Sequence, residues 1–538
     1  MAVLPLFFLR SLTAQSPQGQ PSGTPFRIAG TVVTAAGGSP LSRTRVTIQD
    51  AKDPKNVHSL LTGDDGRFEF HVRAGKYALQ GAKRGFITAG YSQHEQFSTA
   101  IVAGAGLDTE NLTLSLAPAA VLTGKVLDES GDPIRRAVVA LWHEDHSEGV
   151  SRILKFRTDM TDDQGSYEFT PLDSGTYFVS VSAKPWYAVH PPSVTQEGTA
   201  LMPTLVDRAL DVVYPTTYYA EATEPEEATP IPLRGGDHPD LELRVVPAPA
   251  LHVVFHSDQK AENGYRIPML QKRVFDGIDF QYSPDTRMVS PGVFEITTAP
   301  GKYTVSLAGR SQGSTLGEVD ISRDHQDLDA SSGEALSSIT ASVHVVGEEH
   351  IPEQLFVALR DSRRRTVAGQ RVKVQGQVEF TDIAPGTYDL MAGSAGKAYS
   401  VVRVTSQGHE TPGHTLKVSS GTSLSVDLSL IGGSVSVEGI ATNEGKGTAG
   451  AMVVLVPKRP ESNRELFRRD QSDLDGTFTL QSVIPGTYKV IAIADGWDLD
   501  WSKPAVISAY ARHGQTIVVP EHADHPIKLP KSVEVQPK

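Results

Sequence analysis

The stretch "FTDIAPGTY" (Phe380–Tyr388) reads as the end of one strand, a proline-glycine turn and the start of the next, and it returns as "FTLQSVIPGTY" (Phe478–Tyr488). Its kernel, Gly-x-Tyr after a strand-like run, occurs at Gly75/Tyr77, Gly175/Tyr177, Gly301/Tyr303, Gly386/Tyr388 and Gly486/Tyr488, with spacings of 85 to 126 residues. Such a period is domain-sized, so the chain reads as five copies of one unit. Proline and glycine turn the chain, and the tyrosine two residues on points back into the core, as in the tyrosine corner of β-sandwiches.

Two further phrases accompany the turn. "TGDDGRFEF" (Thr62–Phe70), "TDDQGSYEF" (Thr161–Phe169) and "SDLDGTFTL" (Ser472–Leu480) each place acids and a glycine before alternating apolar residues. An aspartate caps such a turn and the glycine supplies positive φ. Upstream, a Gly-x-Val strand is followed by a second apolar strand: "GTVV" then "RVTI", "GKVLDESGDPIRRAVVAL" (Gly124–Leu141) and "EGIATNEGKGTAGAMVVLV" (Glu438–Val456). Helical periodicity is nearly absent, with one short helix expected within Ser193–Leu210, interrupted by Pro203.

Many short strands with Gly/Pro turns predict an all-β chain, a tandem array of about five transthyretin-like or Ig-like β-sandwich domains. Boundaries fall at residues 24–118, 119–247, 248–333, 334–430 and 431–538, after a leader and linker at 1–23. The opening Gly-x-Val, the acidic turn and the "PGTY" closure resemble the carboxypeptidase regulatory-like domain, a prealbumin-type sandwich grouped with carbohydrate-binding-like folds. The first, second and fifth repeats carry the resemblance in full; the third and fourth keep little beyond Gly-x-Tyr. "VVYPTTYYAEATEPEEATPI" (Val212–Ile231) is similar to the tail that follows such domains in secreted bacterial repeat proteins, and Tyr218 and Tyr219 in it are expected to pack on the second domain.

The bulk numbers exclude several functions. A net charge of -13 leaves no basic field for nucleic acid, and the absence of cysteine excludes disulfides, thiolate zinc sites and thiol nucleophiles. The apolar run Ala2–Leu9 with a small-residue stretch to Ala14 reads as a truncated signal peptide, so export to the periplasm, outer surface or extracellular space is expected, with no transmembrane segment in the mature chain. No cofactor is implied.

Candidate chemistry is sparse. His350 and Glu353 of "HIPE" fall in an expected hairpin loop, and "GRSQG" (Gly309–Gly313) lacks the helix that a nucleophile elbow needs. "WHEDH" (Trp142–His146) and "EHADH" (Glu521–His525) read as hairpin loops, and Asp473 and Asp475, though hard oxygen ligands, are too few for a calcium site and suit a turn. A sugar site needs exposed aromatic rings beside carboxylates or amides. "GWDLDW" (Gly496–Trp501) on a strand would put Trp497 and Trp501 on one face roughly 13 Å apart. Nine residues beyond the corner tyrosines, however, stand Phe86, Trp186 and Trp497, a repeated scaffold position that makes Trp497 a core residue. The ligand-binding candidates are therefore Trp142 and Trp501, with Asp498 and Asp500. The sequence thus predicts a non-catalytic, elongated binding array whose partner is a polysaccharide, or else a spacer that binds envelope proteins. A hydrolase would require a site assembled at a domain seam.

Overall fold

The computed structural model describes residues 25–538 apart from 105, 191–206, 257–259, 262–263, 266, 282–285, 308–313, 330–333, 363, 365, 396, 407, 434, 522 and 524. The leader, most of the expected helix, the "GRSQG" stretch and two residues of "EHADH" lie outside the described residues.

Five apolar cores organise the strands, and all five are built on one plan. In the first unit Phe26–Thr34 pairs antiparallel with Arg67–Val72 and parallel with Leu112–Leu116. Ala120–Leu127 does the same with Ser166–Leu172 and Asp240–Arg244. Leu251–His256 pairs with Val293–Thr298 and Asp327–Asp329, and Ser337–Val345 with Gln377–Ile383 and Ser423–Gly432. Val435–Asn443 pairs with Thr477–Val483 and, in parallel, with Ile527–Lys528 and Val533–Gln536. The third and fourth units therefore keep the full plan despite their reduced sequence phrases. Because a parallel partner cannot follow by a hairpin, the last strand of each unit returns from the far end of its sequence.

The glycine in the middle of the first strand has a steric cause. A Cβ on Gly30 would lie 2.1 Å from the Leu112 carbonyl oxygen, and one on Gly124 would lie 2.1 Å from that of Leu241. Only glycine lets the parallel strand approach that closely. The acidic turns follow their expected chemistry: Asp162 Oδ1 accepts the backbone N–H groups of Gln164 and Ser166 at 2.9 and 2.8 Å, and Gly165 sits at φ +72.

In the first three units the strand that starts at Gly-x-Tyr lies in a second sheet, whereas in the fourth and fifth it is joined to the first strand's sheet, through Lys397–Ser406 and Ser423–Gly432 in the fourth and Val533–Gln536 in the fifth. All five tyrosines are buried, and each donates its hydroxyl to the carbonyl four residues back: Tyr77 to Arg73, Tyr177 to Asp173, Tyr303 to Ala299, Tyr388 to Ala384 and Tyr488 to Ile484, at 2.7 to 3.1 Å. The ring folds over the preceding glycine. A Cβ on Gly486 would stand 3.2 Å from the Tyr488 ring and one on Gly175 2.8 Å from His143 Nε2, closer than ordinary contact, while Gly75, Gly301 and Gly386 would meet their own tyrosine at an ordinary 3.4–3.5 Å.

One α-helix, Pro504–Ala511, is present among the described residues and was not expected from periodicity. It is too short to cross a membrane, and no described helix is long and apolar enough to do so. The expected elongation also fails, because the first and fifth units touch. Leu474 N–H donates to the Ala100 carbonyl at 3.0 Å, Lys76 Nζ meets Asp473 Oδ2 at 2.5 Å, and Arg469 pairs with Glu95 at 2.6 Å.

Candidate functional site at the seam of the second and third units

The tryptophans expected to be exposed are used as joints between units. Trp142 is 1% exposed: Nε1 donates to Ser180 Oγ at 2.9 Å, and the ring is capped edge-on by Phe275 of the third unit at 5.5 Å. Its strand, Val138–Asp145, turns that residue outward from its own core, and the turn at Phe275 covers it. Trp501 is 7% exposed and lies so close to Gly149 of the second unit that a Cβ there would be 2.6 Å from its ring. The guanidinium of Arg469 lies 4.3 Å from its ring centroid and Phe467 packs at 5.6 Å. Neither ring presents a face to a pyranose.

"GWDLDW" is not a strand. Gly496–Asp498 is a 3₁₀ turn entered from Asp495 at φ +49, so Trp497 and Trp501 do not line one face. Asp500 Oδ1 accepts the Ser151 N–H at 3.0 Å and Asp500 Oδ2 pairs with Lys503, while Asp498 pairs with Lys538. Asp473, considered as a metal ligand, is held by Lys76 and by the Ala100 N–H at 3.1 Å, and Asp475 caps the Thr477 N–H at 3.0 Å. The "WHEDH" segment is a strand end up to Asp145 rather than a free loop, and His146 and the residues after it lie against the fifth and fourth units, with His146–Asp500 at 3.9 Å and Glu148–Arg360 at 2.7 Å. His350 lies in a loop, as expected.

The repeated aromatic position divides. Phe86 packs against the first core, and Trp497 packs in a second core on the outer face of the fifth unit, stacked on His94 of the first unit at 5.0 Å. Trp186 is instead 87% exposed. Its strand ends at Ser182, and the turn closed by Ala188 N–H to the Pro185 carbonyl directs the ring away from the sandwich.

Chemistry gathers where the tail of the second unit meets the first strand of the third. Val212–Val213 pairs with Ala248–Pro249, which fixes Asp211 opposite His252. His252 Nε2 lies 2.9 Å from Asp211 Oδ2 and its Nδ1 lies 3.1 Å from Glu295 Oε1; Glu295 is fully buried. His190 Nδ1 reaches Asp211 Oδ1 at 3.0 Å, and Arg287 Nη2 reaches Glu295 Oε1 at 3.3 Å. Asp324 Oδ1 accepts the His252 backbone N–H at 2.8 Å. Burial opposes charge on His252, but its hydrogen bonds to Glu295 and Asp211 outweigh that and raise its pKa. Beside this network opens a cleft of about 430 Å³, lined among others by Lys184, His190, Tyr214, Lys272, Arg287 and Tyr303.

Sequence reading missed this cluster. His190, Asp211, His252 and Glu295 lie in separate strands and loops of two units, so no local spacing links them. The one available signal was a histidine inside an apolar strand, "LHVVF" (Leu251–Phe255), where burial of a lone imidazole requires partners.

Residues 121–202 match the family model of the carboxypeptidase regulatory-like domain, and residues 430–518 match that of the second beta sandwich domain of BOS complex subunit NOMO1-like proteins. No curated protein matches the chain. Among solved structures, the Bacillus anthracis TIE protein is 11% identical over 77% of this chain and 76% of its own, with a TM-score of 0.17. The shaft pilin SpaA of Lactobacillus rhamnosus GG is 13% identical over 42% of this chain and 98% of its own, with a TM-score of 0.19. GBS52, the minor pilin of Streptococcus agalactiae, is 12% identical over 42% of this chain and 97% of its own, with a TM-score of 0.20.

Proposed function

We propose that the chain is a non-catalytic binding scaffold of the cell envelope that docks an extended segment of a protein partner along Val57–Leu61. The observation that carries this reading is the state of that edge. In every unit the strand before the Gly-x-Tyr hairpin ends its sheet, and such edges are templates for pairing unless guarded. Arg152–Met160 is guarded by Lys155, Arg157 and a bulge, Arg287–Ser290 by Arg287 and a bulge, Thr366–Arg371 by Arg371 and a bulge, and Arg468–Gln471 is covered by the first unit. Val57–Leu61 has neither bulge nor Lys, Arg, Asp or Glu, and exposes Val57 and Leu61 at 45% and 64%. The bond from Asp50 N–H to the Asn56 carbonyl makes His58 and Leu60 the inward-bonding positions, so Val57, Ser59 and Leu61 turn their backbone groups outward.

A non-catalytic role is supported by the seam itself. Both nitrogens of His252 are engaged by carboxylates, which leaves the ring without a site for a substrate proton. The leader-like run Ala2–Leu9 supports export. A photo-crosslinker placed at Leu61 should trap one envelope protein, and the purified partner should bind Ser59→Pro at least tenfold more weakly, with folding checked by circular dichroism. Full affinity in Ser59→Pro would refute strand addition.

Glycan binding stays as a second reading on a different residue, since Trp186 is exposed and its neighbours Lys184 and Pro185 line the seam cleft. Glycan capture abolished by Trp186→Ala would favour it; a blank array would remove it.

A further inference from the structure

Three side chains at the seam, His190, Asp211 and His252, bring one ligand atom each to within 4.8 Å of one another. The individual separations, 3.0 Å from His190 Nδ1 and 2.9 Å from His252 Nε2 to the Asp211 carboxylate, fall just short of the roughly 3.3 Å edge between ligands bound at 2.0–2.1 Å around a tetrahedral ion. An ion bound among them would lengthen both His–Asp separations slightly and hold the two ring nitrogens, already within 4.8 Å of each other, at the same edge. The reverse side of His252 is already arranged for this: its Nδ1 is held by the buried Glu295 carboxylate at 3.1 Å, the outer contact that orients metal-bound imidazoles.

Charge points the same way. Asp211, Glu295 and Asp324 bring three carboxylates to His252, and Arg287 brings one guanidinium. Without an ion, His252 faces a carboxylate from each nitrogen and so carries an N–H on both, which offsets one of these charges; a divalent cation would displace the Nε2 proton and balance the remaining two. Two imidazoles and one carboxylate suit a borderline transition ion rather than calcium or magnesium, which take oxygen ligands.

We propose that His190 Nδ1, Asp211 and His252 Nε2 bind one divalent transition-metal ion, Zn²⁺ being the best match, and that Glu295 positions His252 for it. Asp211 and His190 come from the tail of the second unit and His252 from the third, so the ion would pin the two units together.

The test is a Zn²⁺ titration of the full chain, stripped with chelator beforehand, in competition with a chromophoric chelator. One tight equivalent per chain is expected. His190→Asn and His252→Asn should each abolish it, Glu295→Gln should weaken it 10- to 100-fold, and His71→Asn, remote from the seam, should retain it. If His252→Asn misfolds, the partly buried His190 carries the result, with circular dichroism verifying its fold. Lack of a tight equivalent, or one that survives His190→Asn, overturns the site.

Discussion

Lys76 Nζ and Asp473 Oδ2 meet at 2.5 Å although 397 positions separate them in the chain. Asp473 belongs to the acidic turn of the fifth unit and Lys76 to the Gly-x-Tyr phrase of the first, so two copies of the repeated motif have become each other's partners. Around them Gln471 Nε2 donates to the Ser92 carbonyl at 2.6 Å and to Thr99 Oγ1 at 2.8 Å, and Leu474 packs into the first core. The array is closed on itself rather than strung out.

Closure is testable because the natural chain contains no cysteine. Ala100 and Leu474 share a backbone hydrogen bond of 3.0 Å, which places their Cα atoms within the roughly 4.4–6.8 Å that a disulfide spans. Ala100→Cys with Leu474→Cys should oxidise to an intramolecular crosslink and shift gel mobility. A double variant that stays reduced under mild oxidant would argue that the first and fifth units do not meet in solution.

The tyrosine corner predicts a graded loss. Tyr488→Phe keeps the ring but leaves the buried Ile484 carbonyl without the 2.7 Å donor, which should cost about 1–3 kcal/mol. Tyr488→Ala also removes the packed ring and should cost roughly 3–5 kcal/mol. Urea unfolding of the fifth unit, followed by Trp497 and Trp501 fluorescence, separates the two. No loss in Tyr488→Phe would mean that the hydroxyl contributes nothing, and equal losses in the two variants that the ring adds nothing beyond it.

The scaffold was legible because its causes are local. Turn chemistry at Gly165 and ring-over-glycine packing at Gly486/Tyr488 are set within a few residues, so the sequence displays the acidic turn three times and Gly-x-Tyr five times. The joints are not local. Whether Trp142 faces solvent depends on Phe275, more than a hundred residues away, and whether Trp501 does depends on Gly149. Trp186 was misread for the opposite reason: an offset shared with Trp497 does not carry over once the loop around Pro185 changes direction. The His190, Asp211, His252 and Glu295 group was invisible because its members converge only when two units dock.

Acidity should act on the fifth unit through Asp470. Burial pushes its carboxyl from 3.8 up to about 6, against the pull of hydrogen bonds that include the Thr479 N–H at 2.6 Å. A carboxyl whose folded pKa lies above its unfolded value contributes its stability fully below about pH 3.9 and loses it as the pH rises through about 6. At pH 7 the ionised group therefore costs the fold about 3 kcal/mol. Asp470→Asn keeps an acceptor for Thr479 and removes the charge, so the variant should be more stable than the natural chain at pH 7, and the gap should close towards pH 4. Neighbouring Asp473 titrates in both proteins, and the difference between them isolates Asp470. A stability difference that stays constant from pH 4 to 7 would show that Asp470 ionises as it does in the unfolded chain.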